Sequence, residues 1–124
     1  MAPVALDKIR DVPFWDDPRR HCLGKDTALF FPANYNASAV SPALRLCNGD
    51  NGPPCPVLAA CATWALTHPG HGGASYGIWG GMTVARREDI LAAIRHLPRG
   101  TAARRDAIAG VVRRHLAALK AIHA

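Results

Sequence analysis

Apolar residues in this chain recur mainly at three- and four-residue steps, the spacing that places them on one face of a helix. The pattern is strongest near the C-terminus, at Ile108, Val111, Val112, Leu116, Leu119 and Ile122. Thr101 precedes this run as a helix cap, which predicts a last helix over residues 102–122. We expect its apolar stripe to dock on the rest of the domain, with Arg113 and Arg114 pointing outward.

Caps, prolines and glycines predict the helices upstream. Ser41 and Pro42 are typical of an N-cap and a first helical residue, and they open a helix that runs to about Cys47. Asn48-Gly49 then ends this helix, since glycine readily adopts the left-handed conformation of a C-terminal cap.

The middle of the chain predicts two more helices and one turn. Cys55-Pro56 begins a helix that runs to about Thr67, and Thr83 caps another over residues 84–97. Between them, residues 76–82 contain too many glycines for a helix, so we predict a tight turn or a small hairpin. No other stretch has a strong strand pattern, and the predicted fold class is mostly α.

The net charge of the 124 residues is +6, and all of it lies in the last third of the chain. Residues 1–81 contain as many acidic as basic side chains, whereas residues 82–124 hold the whole excess. Such an asymmetry suggests a polyanionic partner, the alternative being a solvated basic face on ordinary helices. We expect a first domain at residues 1–82 and a basic helical region at residues 83–124.

The N-terminus lacks the basic start and the apolar centre of a secretory signal, and no apolar run reaches the roughly 18 residues of a membrane span. These features favour a cytoplasmic protein, in which structural disulfides are rare. Four cysteines in a short, thinly cored chain therefore indicate metal or redox chemistry.

The cysteines are unevenly spaced. They are Cys22, Cys47, Cys55 and Cys61. Four thiolates suit Zn²⁺ or an iron–sulfur cluster. Structural zinc sites usually offer two closely spaced pairs, but seven and five residues separate the later cysteines here, which favours the larger cluster. The glycines and prolines between Cys47 and Cys55 allow that loop to fold back.

Three other interpretations stay open from the residues alone. The thiols are unrelated buried groups in the first, and they hold zinc in a DNA-binding module in the second. The third is a thiol–disulfide oxidoreductase, although the usual Cys-x-x-Cys pair is absent. We expect neither His21 nor His68 to be a ligand, because four cysteines suffice, and we expect Asp16 and Asp17 to be solvated.

Several motifs together carry a resemblance to one family. Trp15 precedes the first cysteine, and Asp26-Thr-Ala-Leu-Phe30-Phe31-Pro32 follows it. The later cysteines lead to the turn Gly77-Ile78-Trp79-Gly80-Gly81, after which Thr83 opens an arginine-rich helix. In these features, over roughly residues 14–95, the chain resembles WhiB-like proteins, the small iron–sulfur transcription regulators of actinobacteria and their phages.

The chain departs from that family in two places. The family normally has two residues between its second and third cysteines, where this chain has the seven residues 48–54. The inserted residues put the local geometry of the site in question and leave the identity of its ligands unchanged. The second departure is the predicted helix within residues 98–124, which extends beyond the usual short basic end.

The resemblance implies a regulator of transcription rather than an enzyme. It implies that the four cysteines bind a [4Fe–4S] cluster that responds to nitric oxide and oxygen, and that the protein docks on the C-terminal domain of the principal sigma factor. The residues implied at that interface are Trp15, Phe30, Phe31, Pro32, Gly77, Trp79, Gly80 and Gly81. The residues implied to contact promoter DNA are Arg86, Arg87, Arg95, Arg99, Arg104, Arg105, Arg113 and Arg114.

The large aromatic residues near the cysteines each allow two placements. Trp79 stands among glycines, so its indole is an exposed binding anchor or a lid over the cluster. Phe30 and Phe31 are adjacent, so in an extended segment one faces the cluster and the other a partner, unless both lie in the core. Trp64 lies three residues after Cys61, and we expect it in the core near the cluster.

Overall fold

The computed structural model describes residues 13–122, which form four α-helices and three short 3₁₀ turns. The helices are α1 (Ala37–Asn48), α2 (Leu58–Thr67), α3 (Val84–Ala93) and α4 (Ala102–Ile122). The 3₁₀ turns are Phe14–Asp16, Thr27–Leu29 and Gly72–Ser75. The β-structure within residues 13–122 consists of one isolated bridge, between Trp79 and Met82. The predicted mostly α fold is therefore confirmed. Residues 1–12, the start of the predicted first domain, lie outside the described residues.

The first helix begins earlier than predicted. Its N-cap is Asn36, whose side chain accepts a hydrogen bond from the Ala39 N–H at 2.9 Å. Pro42 lies inside the helix and Ser41 is not its cap. The prediction is wrong because the asparagine cap and the buried inner face of the helix outweigh the one backbone hydrogen bond that a proline removes. The predicted end is confirmed, with Gly49 as C-cap at a φ of 87°.

The next two helices are shorter than predicted. Cys55-Pro56 forms a turn, closed by the Leu58 N–H donating to the Cys55 carbonyl at 3.0 Å, and α2 begins only at Leu58. α3 ends at Ala93, and the chain continues in turns to Leu97. A turn thus replaces the predicted first residues of α2 and the predicted last residues of α3.

The threonine caps predicted for α3 and α4 are confirmed. The Thr83 hydroxyl accepts from the Arg86 N–H at 3.2 Å, and the Thr101 hydroxyl accepts from the Arg104 N–H at 3.3 Å. The half-buried guanidinium of Arg104 also donates to the Ile94 carbonyl at 3.1 Å, just after α3. Arg104 therefore ties the start of α4 to the end of α3.

The main core lies between α2, α3 and α4. Its buried members are Ala62, Leu66, Met82, Ile90, Ile94, Ile108 and Val112. α4 packs along α2 with the face that carries Ile108 and Val112, while Arg113 and Arg114 are exposed, as the apolar periodicity predicts. Each isoleucine or valine buried there contributes about 1.5–3 kcal/mol. This core crosses the predicted boundary between residues 82 and 83, and the boundary itself stays a prediction.

A second, smaller core holds the segment before α1 against the glycine–tryptophan turn, which we define as residues 77–81. Its buried members are Phe30, Val40, Ala43 and Ile78. The Ile78 N–H donates to the Phe30 carbonyl at 2.8 Å, and the Gly77 N–H donates to the Tyr35 hydroxyl at 2.9 Å. The turn is held between two cores, because Ile78 belongs to this one and Met82 to the other.

The glycine–tryptophan turn lies directly against the backbone of α2. Trp79 and Met82 exchange two backbone hydrogen bonds, of 3.2 and 3.0 Å, which makes the tight turn that the glycine content predicts. Gly80 has a φ of 58°, and a Cβ atom there would lie 2.6 Å from the Ala62 nitrogen. Only glycine fits, since the positive φ and the contact with α2 both exclude a side chain.

Arg87 on α3 fixes the chain around this turn from the interior. Its side chain is only 3% exposed, and its guanidinium donates to the carbonyls of Met82 at 2.7 Å, Tyr76 at 3.3 Å and Ala74 at 3.4 Å. Burial lowers the pKa of this guanidinium. The predicted DNA contact at Arg87 is wrong, because a guanidinium occupied by three internal carbonyls offers no surface to a phosphate.

We expect Gly80→Ala to lower the free energy of unfolding by more than about 1 kcal/mol, because it forces a left-handed residue and a methyl group against α2. Gly70→Ala is the matched control, since a Cβ atom at Gly70 meets nothing within 4 Å. Urea unfolding followed by helical circular dichroism measures both variants. Equal stabilities of the two variants would contradict the proposed close contact.

Candidate functional site

All four cysteines line one cavity of about 270 Å³. Cys22 precedes the second 3₁₀ turn, Cys47 lies in the last turn of α1, Cys55 in the following loop, and Cys61 inside α2. The remaining walls are largely apolar, formed by residues that include Phe14, Phe30, Phe31, Val57, Leu58, Ile78 and Trp79. The structure therefore brings the predicted ligands to one place, and their role as ligands stays a prediction.

The thiols surround this cavity rather than meeting at a point. Within residues 13–122 no three His, Cys, Asp or Glu side chains come close enough together to hold one metal ion. The four sulfurs are nevertheless near enough to influence one another electrostatically, since Cys22, Cys47 and Cys55 all act on the titration of Cys61.

Asp17 organises the chain just before Cys22. The residue is only 2% exposed, and its carboxylate accepts two hydrogen bonds from the Arg19 guanidinium, at 3.1 and 2.9 Å. The side-chain hydrogen bond from Arg19 lowers the pKa of Asp17. The Asp17 carbonyl also accepts from the Arg20 guanidinium at 2.8 Å. The prediction of a solvated Asp17 is wrong, because this arginine pairing lets the carboxylate leave water; Asp16 is exposed as predicted.

The loop between Cys47 and Cys55 folds back as its composition predicts. The Cys55 N–H donates to the Cys47 carbonyl at 2.9 Å, which closes the seven residues between them, five more than the family usually has, into a ring. His21 supports this closure, because its N–H donates to Cys55 Sγ at 3.4 Å and its Nδ1 lies 2.7 Å from the Leu46 carbonyl. A carbonyl only accepts, so Nδ1 carries the proton.

The glycine–tryptophan turn acts on two of the thiols. The Gly80 N–H donates to Cys61 Sγ at 3.1 Å, and the Gly81 backbone lowers the pKa of Cys47 against the larger effect of burial. Burial raises the pKa of Cys47 and of Cys61 to about 12. Both thiols are therefore protonated at neutral pH in the metal-free protein, and metal binding there must release protons.

Aromatic side chains continue from the cavity to the surface. We name Trp15, Phe31, Trp64, Tyr76 and Trp79 the aromatic face. Trp79 stacks on Trp64 at 5.4 Å between ring centroids and meets the edge of Phe31 at 6.4 Å. Trp15 and Tyr76 are each 53% exposed. Tyr76 was not among the predicted interface residues, and its place beside the glycine–tryptophan turn is the signal that could have identified it.

The predicted interface residues differ in exposure. Trp79 is half-buried and lines the cavity, and its role as a binding anchor or as a lid stays a prediction. Phe30 is buried and Phe31 half-buried, and both line the cavity. Trp64 is half-buried in the aromatic face, outside the cavity walls. Pro32 is half-buried.

Three predicted interface residues are corrected by their burial. Gly77, Gly80 and Gly81 are all buried. They shape the turn and offer no surface to a partner. Within the turn, the side chain that a partner can reach is that of the half-buried Trp79.

The arginines predicted to contact DNA fall into two groups. Arg87 and Arg104 hold internal carbonyls. The exposed members are Arg86, Arg95, Arg99, Arg105, Arg113 and Arg114. A groove between α3 and α4 is lined by Arg86, Arg113 and Arg114. None of the helices in the described part of the chain combines the length and apolarity that crossing a membrane requires.

Two histidines have structural partners. His68 stacks on Trp64 at 4.8 Å and lies outside the cavity walls. His115 on α4 is half-buried, with Nε2 3.1 Å from the Gly80 carbonyl, and burial lowers its pKa. Sequence reasoning missed His115 because its partner lies 35 residues away.

Comparison with known proteins places these features in a family. The family model described as transcription factor WhiB matches residues 15–90, more than half of the chain. The chain is 34% identical over 83 residues to the redox-responsive transcriptional regulator WhiB3 of Mycolicibacterium smegmatis, an alignment that covers 62% of this chain and 77% of that protein. It is 35% identical over 77 residues to the transcriptional regulator WhiD of Streptomyces coelicolor, covering 60% of this chain and 63% of that protein.

No solved structure matches the chain with significance. The family match covers every cysteine, the aromatic face and the glycine–tryptophan turn, and it ends within α3. α4 lies wholly outside it. Because the family model matches more than half of the chain and both relatives are named as transcriptional regulators, the chain belongs to the WhiB family of transcription factors.

Proposed function

We propose that this protein binds a [4Fe–4S] cluster through Cys22, Cys47, Cys55 and Cys61, and that it acts on transcription through the principal sigma factor and promoter DNA. The observation that carries the proposal is the shared cavity: four thiols from four parts of the chain line it together. A regulator with this centre responds to nitric oxide and oxygen through the cluster.

The residues around the cavity fit an iron–sulfur cluster. Cysteine thiolates are its usual ligands, and hydrogen bonds to the sulfurs and burial set its reduction potential. Gly80 supplies such a hydrogen bond to Cys61, and Phe30 and Ile78 supply apolar walls that limit water. When bound, the cluster would supply one-electron redox chemistry and reactivity toward diatomic gases.

The dispersed thiols support a cluster over zinc. A single Zn²⁺ needs four sulfurs at about 2.3 Å from one centre, which draws the ligands tightly together. Donors arranged around a 270 Å³ cavity suit a group that contains several metal atoms. Zinc remains the alternative that metal analysis separates from iron.

We expect the anaerobically purified protein to contain iron and sulfide and to absorb in the visible range, and Cys61→Ser to lose that absorption with much of its helicity. The physical reason is that ligand binding and folding are coupled in small metal domains. Metal analysis, visible absorption and circular dichroism provide the measurements. Ala60→Ser, at the exposed neighbouring position of α2, is the matched control. Colourless or zinc-bound wild-type protein would refute the cluster.

The aromatic face is the proposed docking surface for the sigma factor. Exposed tryptophan and tyrosine are enriched among the residues that dominate binding energy at interfaces. Trp15 and Tyr76 are more than half exposed, and Trp79 connects them to the cluster cavity through Trp64 and Phe31. A partner that covers this face would also cover residues of the cavity wall, because Trp15, Phe31 and Trp79 belong to both.

We expect Trp79→Ala to weaken binding to the C-terminal domain of the sigma factor by at least about 2 kcal/mol while the protein keeps its iron. Affinity is measured by titration calorimetry with the purified domain under anaerobic conditions. Ile122→Ala removes an apolar side chain that is 73% exposed on α4, outside the aromatic face, and serves as control. Unchanged affinity of the Trp79 variant, with full iron content, would exclude this face as the docking surface.

Promoter DNA is the proposed polyanionic partner of the basic region. Arg113 and Arg114 are exposed neighbours on α4, and Arg86 lies across the same groove on α3. Guanidinium groups at such positions contact phosphates, which gives affinity with little sequence selectivity. Asp89 and Asp106 also line the groove and confine the positive surface to part of it.

We expect the DNA affinity to fall steeply with salt, and the double variant Arg113→Ala/Arg114→Ala to reduce the slope of log affinity against log salt by roughly 2. Fluorescence anisotropy with a duplex at several salt concentrations gives the slopes. Arg45→Ala removes an exposed arginine outside the basic region and is the control. A slope that the double variant leaves unchanged would remove α4 from the DNA interface.

A further inference from the structure

His115 connects α4 to the cluster cavity. Its Nε2 lies 3.1 Å from the Gly80 carbonyl, and because a carbonyl only accepts, this nitrogen must carry the proton. The contact is held in place by packing, since Ile108 and Val112 lie on the same face of α4 and are buried against α2. α4 lies beyond residues 15–90, so this contact is an addition to the family's matched region.

Gly80 itself links this contact to a sulfur. Its carbonyl accepts from His115, and its N–H donates to Cys61 Sγ at 3.1 Å. The Gly81 carbonyl in turn accepts from the Asn48 amide at 3.1 Å. One side chain from α4 and one from α1 therefore fix the orientation of the peptides that contact the cavity.

The conformation of Gly80 determines whether its N–H points at the sulfur of Cys61. A glycine has no side chain to restrict rotation about its backbone bonds. The hydrogen bond from His115 to the Gly80 carbonyl therefore adds a restraint at this residue to those that the Trp79–Met82 pairing gives the turn.

We propose that His115 is a positioning residue for the cluster site: by holding the Gly80 carbonyl, it keeps Gly80 in the conformation in which its N–H donates to the sulfur of Cys61. The proposal rests on the proposed function, because it takes Cys61 as a ligand. Partners one step removed from a ligand affect how tightly the metal is held. α4 thereby acts on the site without touching it.

The proposal has two expected consequences, one for how long the protein retains its iron and one for its reduction potential. Turning the Gly80 N–H away from the Cys61 sulfur removes stabilisation of negative charge on that ligand, and this charge is greatest in the reduced state. His115→Phe, which keeps an aromatic ring without the donor, should shift the reduction potential to more negative values. It should also accelerate iron loss to a ferrous chelator on the order of tenfold.

The experiment compares three full-length variants, purified anaerobically, with the wild type. His115→Phe removes the donor, His115→Gln restores an N–H donor, and Ile108→Val loosens the docking of α4 while leaving His115 intact. The measurements are iron release to a chelator, the reduction potential, and the thermal unfolding midpoint of each protein. We expect slow release and an unshifted potential for His115→Gln, and a change in both for His115→Phe alone.

Each outcome decides between the proposals. Wild-type protein without iron would overturn both this inference and the proposed function. Iron-loaded wild type with His115→Phe unchanged in release and potential would overturn only the role of His115. If Ile108→Val, at a similar loss of thermal stability, matched His115→Phe in potential and release, the effect would come from helix packing, and the hydrogen bond would have no role.

Discussion

The contact between the glycine–tryptophan turn and α2 is the constraint on which the cysteine-lined cavity depends. Gly80 lies against the backbone of Ala62, and at that distance its N–H reaches the sulfur of Cys61. The two cores hold the turn there from either side, through Ile78 and Met82. Apolar packing, which has no direction of its own, thus fixes the position of a strongly directional donor.

Features of the fold that depend on neighbouring residues could be predicted from the sequence. The threonine caps of α3 and α4 and the apolar stripe of α4 follow from residues within one or two turns of each other, and they are confirmed. The start of α1 was missed because Asn36 offers a better cap than Ser41, a competition between two local signals.

The features missed around the site are long-range pairings of polar groups. Arg87 and His115 satisfy carbonyls of chain segments that only the folded state brings near them, so neither could be distinguished from the solvated members of the basic region. The pairing of Asp17 with Arg19 is local, yet its burial depends on the surrounding fold. The family resemblance identified the cysteines and the turn but contained nothing about α4, which lies outside the match.

The loop between Cys47 and Cys55 can change in length without moving the two cysteines, because a backbone hydrogen bond joins them. Their backbone hydrogen bond fixes both ends of the insertion, and Asp50 and Asn51 at its tip are exposed. Closing a flexible loop costs only about 0.6 kcal/mol more for each doubling of its length. Evolution can therefore lengthen or shorten this segment at little energetic cost, which makes it a natural place for related regulators to diverge while the sulfurs keep their arrangement.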